Sequence, residues 1–350
     1  MAARAPVVRT RERTTRARGA SSRRGGASHV QVAEMQRSRL LAAAARVVDE
    51  LGYEHATVAN ITRRARVSRI TFYDQFAHRE GCLVAVLEDT AQRIGSEIER
   101  ADLSDLPWRE RVRGGLWAIL SFLDREPVLA RVCVVQALRG SQGVLKRREE
   151  ILRGLARVLD EGRSEGSRGP ECPPLTAEGL VGAAFAIVYA RLLRGEREPL
   201  AELLPELMGM IVLPYQGPAA ARREQARPVP ARVAEDAANG DAPKDARGIA
   251  SAGDDPLQGI PMRLTYRTAR ALEAISQRPG VSNRQAGDLA GIADQGQISK
   301  LLARLERLGL AENSGPGHAR GERNEWRLTE RGARVTQTLR AHAGGDGEVA

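Results

Sequence analysis

Apolar residues recur with helical spacing along most of the chain. Leu40, Ala44, Val47, Val48 and Leu51 repeat at intervals of three and four, and Gly52 follows as a typical helix-ending residue. The same spacing predicts further helices at 80–101, 107–125, 127–139, 144–163, 176–194 and 200–213. Extended alternation of apolar and polar residues is absent before the C-terminal part. The sequence therefore predicts a mostly α fold.

Composition divides the chain into segments. Residues 1–33 are rich in Arg, Gly, Ser and Ala and predict a disordered basic tail, and residues 217–256 are rich in Ala, Pro, Arg and Asp and predict a disordered linker. The remaining segments are an N-terminal domain at 34–94, a middle domain at 95–216, a C-terminal domain at 257–342 and a short disordered tail at 343–350.

The net charge of +10 is unevenly distributed. Residues 1–33 carry eight arginines and one glutamate, whereas residues 34–100 and 101–216 each hold equal numbers of cations and anions. Residues 257–350 hold fourteen cations and ten anions. The excess at the two ends indicates contact with an anionic polymer at separate places.

Several protein classes are excluded by what the sequence lacks. An apolar run near 18 residues is missing, so we expect no transmembrane helix and no membrane partner. The basic N-terminus is not followed by the apolar segment of a secretory signal. Cys82, Cys133 and Cys172 are odd in number and far apart, which argues against a disulfide framework. We expect a cytoplasmic, nucleoid-associated bacterial protein.

Enzymatic chemistry is not indicated either. The five histidines are scattered, and their spacing with cysteines or carboxylates matches no metal site or nucleophile arrangement. The glycine-rich run at 315–321 lacks the Lys-Ser/Thr pair of a phosphate-binding loop. We expect no enzyme activity, no cofactor and no bound metal.

A helix-turn-helix unit is predicted at 57–76. Thr57 can cap a short helix from Val58 to Arg64, and after a turn at 65–67 Ser68 can cap a second short helix. Between Glu54 and Asp74 the charged residues are all basic: Arg63, Arg64, Arg66 and Arg69. This pattern suits a surface that faces phosphates, and the alternative is a solvated basic face on a helical bundle.

The order of residues in this unit resembles the N-terminal domain of the tetracycline-repressor (TetR) family of transcription regulators. The shared pattern comprises Gly52-Tyr53, Thr57-Val58, Ile61, Ala65, Val67-Ser68, Thr71-Phe72-Tyr73, Phe76, Arg79-Glu80 and Leu83. Ile70 departs from the family, which often has glycine there, and places a bulkier group near the DNA.

The resemblance implies which residues bind double-stranded DNA. Thr57, Tyr73 and Arg79 would bind phosphates, and Ser68, Arg69, Ile70 and Thr71 would lie along the major groove, with Arg69 suited to guanine. Arg63 and Arg66 complete this set. The basic tail would reach a minor groove or would be an unstructured leader, and the sequence leaves both open.

The resemblance also implies roles for the middle domain. Its last two helices would form a dimer interface with a second copy, where the small residues Gly179, Gly182, Ala183 and Ala186 allow close approach; the alternative is an ordinary intrachain core. A small-molecule effector would bind within the domain, in a pocket lined by Trp117, Phe122, Cys133, Phe185 and Tyr189. Core packing explains each of these five residues equally well.

The C-terminal domain shows a second helix-turn-helix. Ser282 and Gln285 have the form of a capping box, Asp294 begins a longer helix, and two short strands with a glycine-rich tip precede a final helix. This order is a winged helix and is similar to the multiple-antibiotic-resistance-regulator (MarR) type. The DNA-facing residues would be Gln295, Gln297, Ser299, Lys300 and Arg304 on the helix and Arg320 and Arg323 in the wing.

These observations give one leading hypothesis and one rival. The protein would be a transcriptional repressor that binds a palindromic operator as a homodimer and responds to an effector. In the rival, the C-terminal winged helix docks a partner protein instead of reading DNA.

Overall fold

The computed structural model describes residues 29–165, 171–196, 198–230, 265–315 and 324–341. The helices of the N-terminal and middle domains are α1 (His29–Leu51), α2 (Val58–Ala65), α3 (Arg69–Gln75), α4 (Arg79–Arg100), α5 (Trp108–Arg125), α6 (Pro127–Ala130), α7 (Gln142–Asp160), α8 (Gly162–Glu165), α9 (Thr176–Arg194) and α10 (Leu204–Gln225). The C-terminal domain comprises α11 (Tyr266–Gln277), α12 (Asn283–Ala290), α13 (Gln295–Arg307), β1 (Ala311–Asn313), β2 (Trp326–Leu328) and α14 (Glu330–Ala341). The predicted mostly helical architecture is confirmed.

The N-terminal and middle domains share one continuous apolar core. Leu40, Ile61 and Phe72 from the first three helices belong to the same buried cluster as Leu120 and Met208 from the middle domain. The first four helices are therefore held in a fixed position on the middle domain by apolar burial, which is the main stabilising term in folding.

The first helix begins earlier than the sequence predicts. Residues 1–33 are expected to be a disordered tail, but α1 starts at His29, and residues 1–28 lie outside the described part of the chain. Val32 and Met35, on its first turns, are 4% and 6% exposed and belong to the apolar core of the C-terminal domain. The residues that bury these two side chains lie more than 200 positions away in the sequence, so local composition cannot reveal the contact.

The helix predicted at 127–139 changes its winding along its length. It begins as α6, passes through a π-helical turn at Arg131–Val135, and ends in a 3-10 turn at Gln136–Arg139. Such π-helical turns shift the register of the side chains that follow them. Arg131, the first residue of this turn, faces back towards α1.

The beginning of the linker predicted at 217–256 is helical instead. Helix α10 bends at Gly217, where φ is +81° and ψ is 178°, and then continues to Gln225. Such a conformation is open essentially to glycine alone. The bend folds the second half of α10 against the first, where a Cβ on Gly209 would meet Cγ of Gln225 at 2.5 Å. Residues 231–256 lie outside the described residues.

Buried charges fix this folded-back segment. Glu224 is 1% exposed and accepts a hydrogen bond of 2.9 Å from the guanidinium of Arg113, which is also buried. Arg113 donates a second bond of 2.9 Å to the carbonyl of Pro228. Arg227 joins Glu224 to Glu110, with N–O distances of 3.2 and 2.9 Å. Residues 218–228 are thus part of the middle domain, because their polar groups find partners on α5.

The C-terminal domain contains the predicted order of helix, helix, helix, strand pair and helix. Strands β1 and β2 are antiparallel, with Ala311 opposite Leu328, and Val281 makes an isolated bridge to Trp326. The capping box of Ser282 and Gln285 is present at the start of α12.

Candidate nucleic-acid interface and effector cavity

Side-chain caps define the two helices of the N-terminal helix-turn-helix. The hydroxyl of Thr57 accepts a hydrogen bond of 3.2 Å from the backbone N–H of Asn60, and that of Ser68 accepts one of 3.0 Å from Thr71. Between them Arg66 ends α2 with a left-handed φ of 54°. These contacts satisfy backbone groups that a helix end leaves free, and so they set the angle between α2 and α3.

Helix α3 has a buried face and an exposed face. Phe72 is fully buried, and its ring centroid lies 5.5 Å from that of Phe76. On the opposite side Ile70 is 76% exposed, Tyr73 is 56% exposed, and Arg69 is exposed. Two aromatic rings therefore anchor a seven-residue helix whose outer face is free to contact another molecule.

The two hydroxyl groups predicted to lie along a DNA groove already form a hydrogen bond with each other. Ser68 and Thr71 are half-buried, and their hydroxyl oxygens lie 2.8 Å apart in a hydrogen bond. Of the four predicted groove residues, Arg69 and Ile70 are the ones whose side chains project outwards. The capping geometry of Ser68 explains the difference, because an N-cap side chain turns back to its own helix.

Two of the arginines predicted to bind DNA have partners within the protein. Arg63 donates to the side-chain oxygen of Asn60 at 2.6 Å, and Arg79 donates to the carbonyl of Glu54 at 3.2 Å. The Arg79 guanidinium also lies 5.1 Å from the ring centroid of Tyr53. Arg79 thus holds the loop between α1 and α2, a structural role that the sequence alone did not indicate.

One arginine of the basic run is neutralised by a carboxylate from α1. Arg64 forms an ion pair with both oxygens of Glu50, and this hydrogen bonding holds the pKa of Glu50 below its ordinary value. Glu50 lies outside the segment from Glu54 to Asp74, but it compensates the charge of Arg64 within that segment. The net positive charge of the segment is therefore smaller than its own sequence suggests. Arg69, by contrast, has no ion-pair partner among the residues that the structure describes.

Polar contacts join α1 and the first turn of α4 to the middle domain. Both carboxylate oxygens of Asp49 on α1 accept hydrogen bonds of 2.6 Å from Arg131 in the π-helical turn. Glu80 on α4 accepts a bond of 3.1 Å from the backbone N–H of Gly143 at the start of α7. The partners are about 60 to 80 positions apart in sequence, which is why periodicity did not reveal them.

The middle domain contains a cavity of about 550 Å³ that is partly open to solvent. Its walls come from α4, α5, α7, α9 and α10, and its size lies within the range of small-molecule sites. Its lining is apolar except at one end: the lining residues are Ile98, Glu99, Asp102, Leu103, Ser104, Arg111, Val112, Gly115, Leu116, Ile119, Leu120, Leu123, Leu155, Val158, Leu159, Glu161, Val181, Ala184, Phe185, Val188, Leu207 and Ile211.

Only one of the five predicted pocket residues lines this cavity. Phe185 is a lining residue, whereas Phe122 is buried in the apolar core beneath the guanidinium of Arg93. Trp117, Cys133 and Tyr189 are partly buried and pack against the same core. The prediction of these four as lining residues is therefore wrong for this cavity. Aromatic type alone does not show which side of a helix faces a void.

Helix α9 leaves one apolar face uncovered. Val181 and Val188 are buried against the core, while Gly179, Gly182 and Ala186 on the opposite side are exposed and Ala183 is half-buried. Leu175 and Leu193 extend this face and are 69% and 61% exposed. The alternative of an ordinary intrachain core does not hold for this face.

The same helix is long and apolar enough to be considered as a membrane span. The helix Thr176–Arg194 has 19 residues. Its most apolar stretch of 18 residues has a mean hydropathy of 1.4, and 17% of that stretch is buried inside the protein. Charges at Glu178 and Arg191 leave twelve uncharged residues between them, fewer than the roughly 20 needed to cross the hydrocarbon core.

In the C-terminal domain, α13 presents a basic face. Ile298, Leu302 and Leu305 are buried, and the opposite side carries exposed Lys300, Arg304 and Arg307. Gln295 and Gln297 are exposed at the beginning of the helix, and the Gln297 side-chain oxygen accepts a bond of 2.8 Å from Arg267. Arg320 and Arg323, predicted for the wing, lie outside the described residues.

Ser299 belongs to the interior of the domain instead of this basic face. It is half-buried, and its hydroxyl accepts a hydrogen bond of 3.0 Å from the amide of Asn283. The Asn283 carbonyl oxygen in turn accepts bonds from Trp326 at 2.6 Å and from Asn324 at 3.0 Å. This network joins α12, α13 and β2, so the prediction that Ser299 faces a groove is corrected.

Part of the chain is similar to known proteins in sequence. Residues 40–86 match the family model described as bacterial regulatory proteins, tetR family. The A-factor receptor protein of Streptomyces griseus is 28% identical over 144 residues, which cover 41% of this chain and 50% of that protein. An uncharacterized HTH-type transcriptional regulator, YhgD of Bacillus subtilis (strain 168), is 23% identical over 154 residues, which cover 43% of this chain and 81% of that protein.

Solved structures with a similar fold match about half of this chain. The fatty acid degradation regulator FadR from Bacillus halodurans gives a TM-score of 0.46 at 21% identity, with 51% of this chain and 94% of that one covered. FadR from Bacillus subtilis in complex with stearoyl-CoA gives a TM-score of 0.43 at 22% identity, and the match covers 50% of this chain and 97% of that one. This chain spans half the length of the A-factor receptor protein. The helix-turn-helix at 57–76 thus lies within the segment of the chain that matches the model of the tetR family of bacterial regulatory proteins.

Proposed function

We propose that the protein is a transcriptional repressor that binds a palindromic operator as a homodimer and is released by a small molecule bound in the middle domain. The observation that carries this proposal is the outer face of α3, where Arg69, Ile70 and Tyr73 project from a helix anchored by Phe72. A helix of this kind fits the major groove, where base edges can be distinguished.

The chemistry of the three exposed side chains supports distinct roles. The Arg69 guanidinium can donate two hydrogen bonds to O6 and N7 of guanine, and Tyr73 can donate to a phosphate. Ile70, which is 76% exposed, offers an apolar surface suited to the methyl group of thymine. The departure from glycine at this position would then contribute to base preference.

The test is DNA selection with the full chain, followed by affinity measurements on the selected site. Arg69→Ala should weaken binding by about 1–3 kcal/mol and relax the preference at one base pair. Tyr73→Phe should weaken binding to all sequences alike. Arg153→Ala, on the exposed side of α7, is the control and should leave affinity unchanged. Unchanged affinity in the first two variants would refute the assignment to this helix pair.

The uncovered face of α9 supports a homodimer. A second copy would cover Gly179, Gly182, Ala183 and Ala186, and the absence of large side chains at these positions would let two helices approach closely. Sedimentation equilibrium should show a dimer for the native chain and a monomer for Ala186→Glu, because the variant places an unpaired carboxylate within the interface. Ala303→Glu, on the exposed side of α13, should remain dimeric. A monomeric native chain would contradict the proposal.

The cavity supports the response to an effector. Helices α4 and α7 form part of the wall of the cavity. Glu80, at the beginning of α4, accepts a hydrogen bond from the first turn of α7 and so connects the two helices near the helix-turn-helix. Arg131 and Asp49 give a second connection. A ligand that favours one arrangement of these helices would change the position of α3 and hence the affinity for DNA. The similar A-factor receptor protein is, by its name, a receptor.

The C-terminal domain is proposed to be a winged helix that reads a second stretch of DNA. The observation that favours DNA over a partner protein is the alignment of Lys300, Arg304 and Arg307 on one exposed face of α13. In the full chain, Lys300→Ala with Arg304→Ala should lower the slope of log affinity against log salt by about 0.9 per lost phosphate contact. An unchanged slope would favour the alternative, in which the domain docks a protein.

A further inference from the structure

The cavity of the middle domain has a strongly apolar interior and a polar end. Toward α9 and α10 its wall is formed by Val181, Phe185, Val188, Leu207 and Ile211, which offer no hydrogen-bond partner. A polar group placed there would lose its water without replacement, at a cost of about 1–3 kcal/mol. The part of a ligand that enters this end must therefore be hydrocarbon.

The polar lining residues lie together where α4 ends, α5 begins and α7 ends. Three of them are carboxylates, Glu99, Asp102 and Glu161, and one is a cation, Arg111. Arg111 is already paired: its guanidinium lies 2.6 Å from Glu161 and 3.4 Å from Glu165. Glu99 and Asp102, which are exposed to solvent, consequently leave the open end of the cavity negatively charged.

Nearby cations do not reverse this sign. Arg100 lies between these two carboxylates in sequence and keeps its positive charge while its Nε donates to the carbonyl of Ser96 at 3.1 Å, but it is not a lining residue of the cavity. Two uncompensated charges about 8 Å from a ligand head group, in partly hydrated surroundings, change its affinity about tenfold. The sign of the head group thus becomes the main determinant of selectivity at this end.

We propose that the cavity binds an amphipathic small molecule with a hydrocarbon body and a cationic or neutral head group, and that it rejects anionic ones. The ligand is an amine, an ammonium compound or an uncharged polar lipid, whereas fatty acids and their polyanionic coenzyme A thioesters are excluded. This inference rests on the proposed function, in which the cavity is the effector site, and specifies the chemical class of the effector.

The experiment compares four probes with the same alkyl chain on the full-length protein by isothermal titration calorimetry. The probes are dodecyltrimethylammonium, dodecanol, dodecanoate and dodecanoyl-coenzyme A, each below its micelle concentration. The first two should bind, and dodecanoate should bind at least about tenfold more weakly than the ammonium compound. Tighter binding of either anionic probe, or no binding by any probe, overturns the proposal.

Two variants locate the effect in the cavity. Glu99→Gln with Asp102→Asn removes both uncompensated charges, and asparagine tolerates the left-handed φ of 47° at Asp102. The preference for the ammonium compound should fall about tenfold in this variant. The control, Glu149→Gln with Glu306→Gln, removes two exposed charges elsewhere and should leave the preference intact. Equal effects of the two pairs would overturn the charge argument.

A third variant fills the cavity without disturbing its walls. Gly115 lines the cavity on α5, and a Cβ there would have Ile98 Cδ1 at 4.0 Å as its nearest contact. Gly115→Leu should abolish binding of every probe, whereas Gly154→Leu, at a half-buried position of α7 outside the cavity lining, should not. Undiminished binding in Gly115→Leu would place the probes elsewhere and refute the inference.

DNA affinity separates this inference from the proposed function. If the ammonium probe binds in the expected order but leaves operator binding unchanged, the ligand class is supported and the effector role of the cavity fails. If dodecanoyl-coenzyme A binds most tightly and releases DNA, the effector role is supported and the ligand class proposed here is wrong.

Discussion

Replacing Glu224 by glutamine tests whether buried charges hold the end of α10 on the middle domain. Glu224 is 1% exposed and is surrounded by three guanidinium groups, those of Arg113 at 2.9 Å, Arg109 at 3.2 Å and Arg227 at 3.2 Å. Glutamine keeps the shape of the side chain but removes its charge, so the buried guanidinium of Arg113 loses its carboxylate partner. Leaving one member of a buried pair uncompensated costs about 3–5 kcal/mol.

The expected value lies at the lower end of this range. Arg113 keeps its hydrogen bond of 2.9 Å to the carbonyl of Pro228, and Arg227 keeps its hydrogen bond to the carboxylate of Glu110. We therefore expect a loss of about 3 kcal/mol in the free energy of unfolding. With an m-value of about 2 kcal/mol/M, the urea midpoint of the middle domain should fall by about 1.5 M. Hydrogen exchange should localise the loosening to α10 and α5.

A matched control and a rescue complete the experiment. Glu149→Gln removes the same charge from an exposed pair with Arg153, where the effect should stay below about 1 kcal/mol. Arg113→Met with Glu224→Leu replaces the buried pair by apolar groups and should recover most of the stability. The reasoning is refuted if Glu224→Gln shifts the midpoint no more than Glu149→Gln does.

Four further outcomes are expected. Met35→Ala should speed hydrogen exchange in α14 but not in α3, because it removes about 2–5 kcal/mol of packing where α1 meets the C-terminal domain. If α14 were as well protected in the variant as in the native chain, this contact would be contradicted. Gly217→Ala should lower the urea midpoint, because φ of +81° with ψ of 178° costs a side chain about 1–3 kcal/mol, and an unchanged midpoint would refute the bend. Cys82, whose pKa is raised to about 12 by burial, should resist iodoacetamide at mildly alkaline pH until urea unfolds the chain; mass spectrometry would detect labelling of the folded state, which would disprove its burial. Hydrogen bonding to Arg227 lowers the pKa of Glu110, so its contribution to stability should be full above the ordinary carboxyl pKa and be lost as pH falls through the lowered value; an acid titration in which Glu110→Gln behaves like the native chain would contradict this.

Features that depend on neighbouring residues were predicted well from the sequence. The caps at Thr57 and Ser68, the capping box at Ser282 and the full extent of α9 agree with the structure. Each arises from hydrogen bonds and apolar spacing within about four residues, which a single sequence displays directly. The tetR-type motif at 57–76 belongs to this class, because its helices, turn and aromatic anchors are contiguous.

Features that depend on distant partners were missed or misassigned. The basic window around α2 gave no sign that Glu50 would neutralise Arg64 or that Arg79 would hold a loop. The composition of 217–256 suggested a linker throughout, although Glu224 is one of the most buried charged residues described. Low aromatic content and many polar residues indicate disorder only when no complementary surface exists elsewhere.

The sequence by itself thus determined the local elements, the DNA-binding motif and the likeness of its first domain to one family. The tertiary structure decided which helix faces line the cavity, which arginines remain available to another molecule, and where α1 begins and α10 ends. The physical reason is that helix caps and periodicity follow from short-range interactions. Buried ion pairs, voids and uncovered apolar faces depend instead on the three-dimensional arrangement of residues that are far apart in the chain.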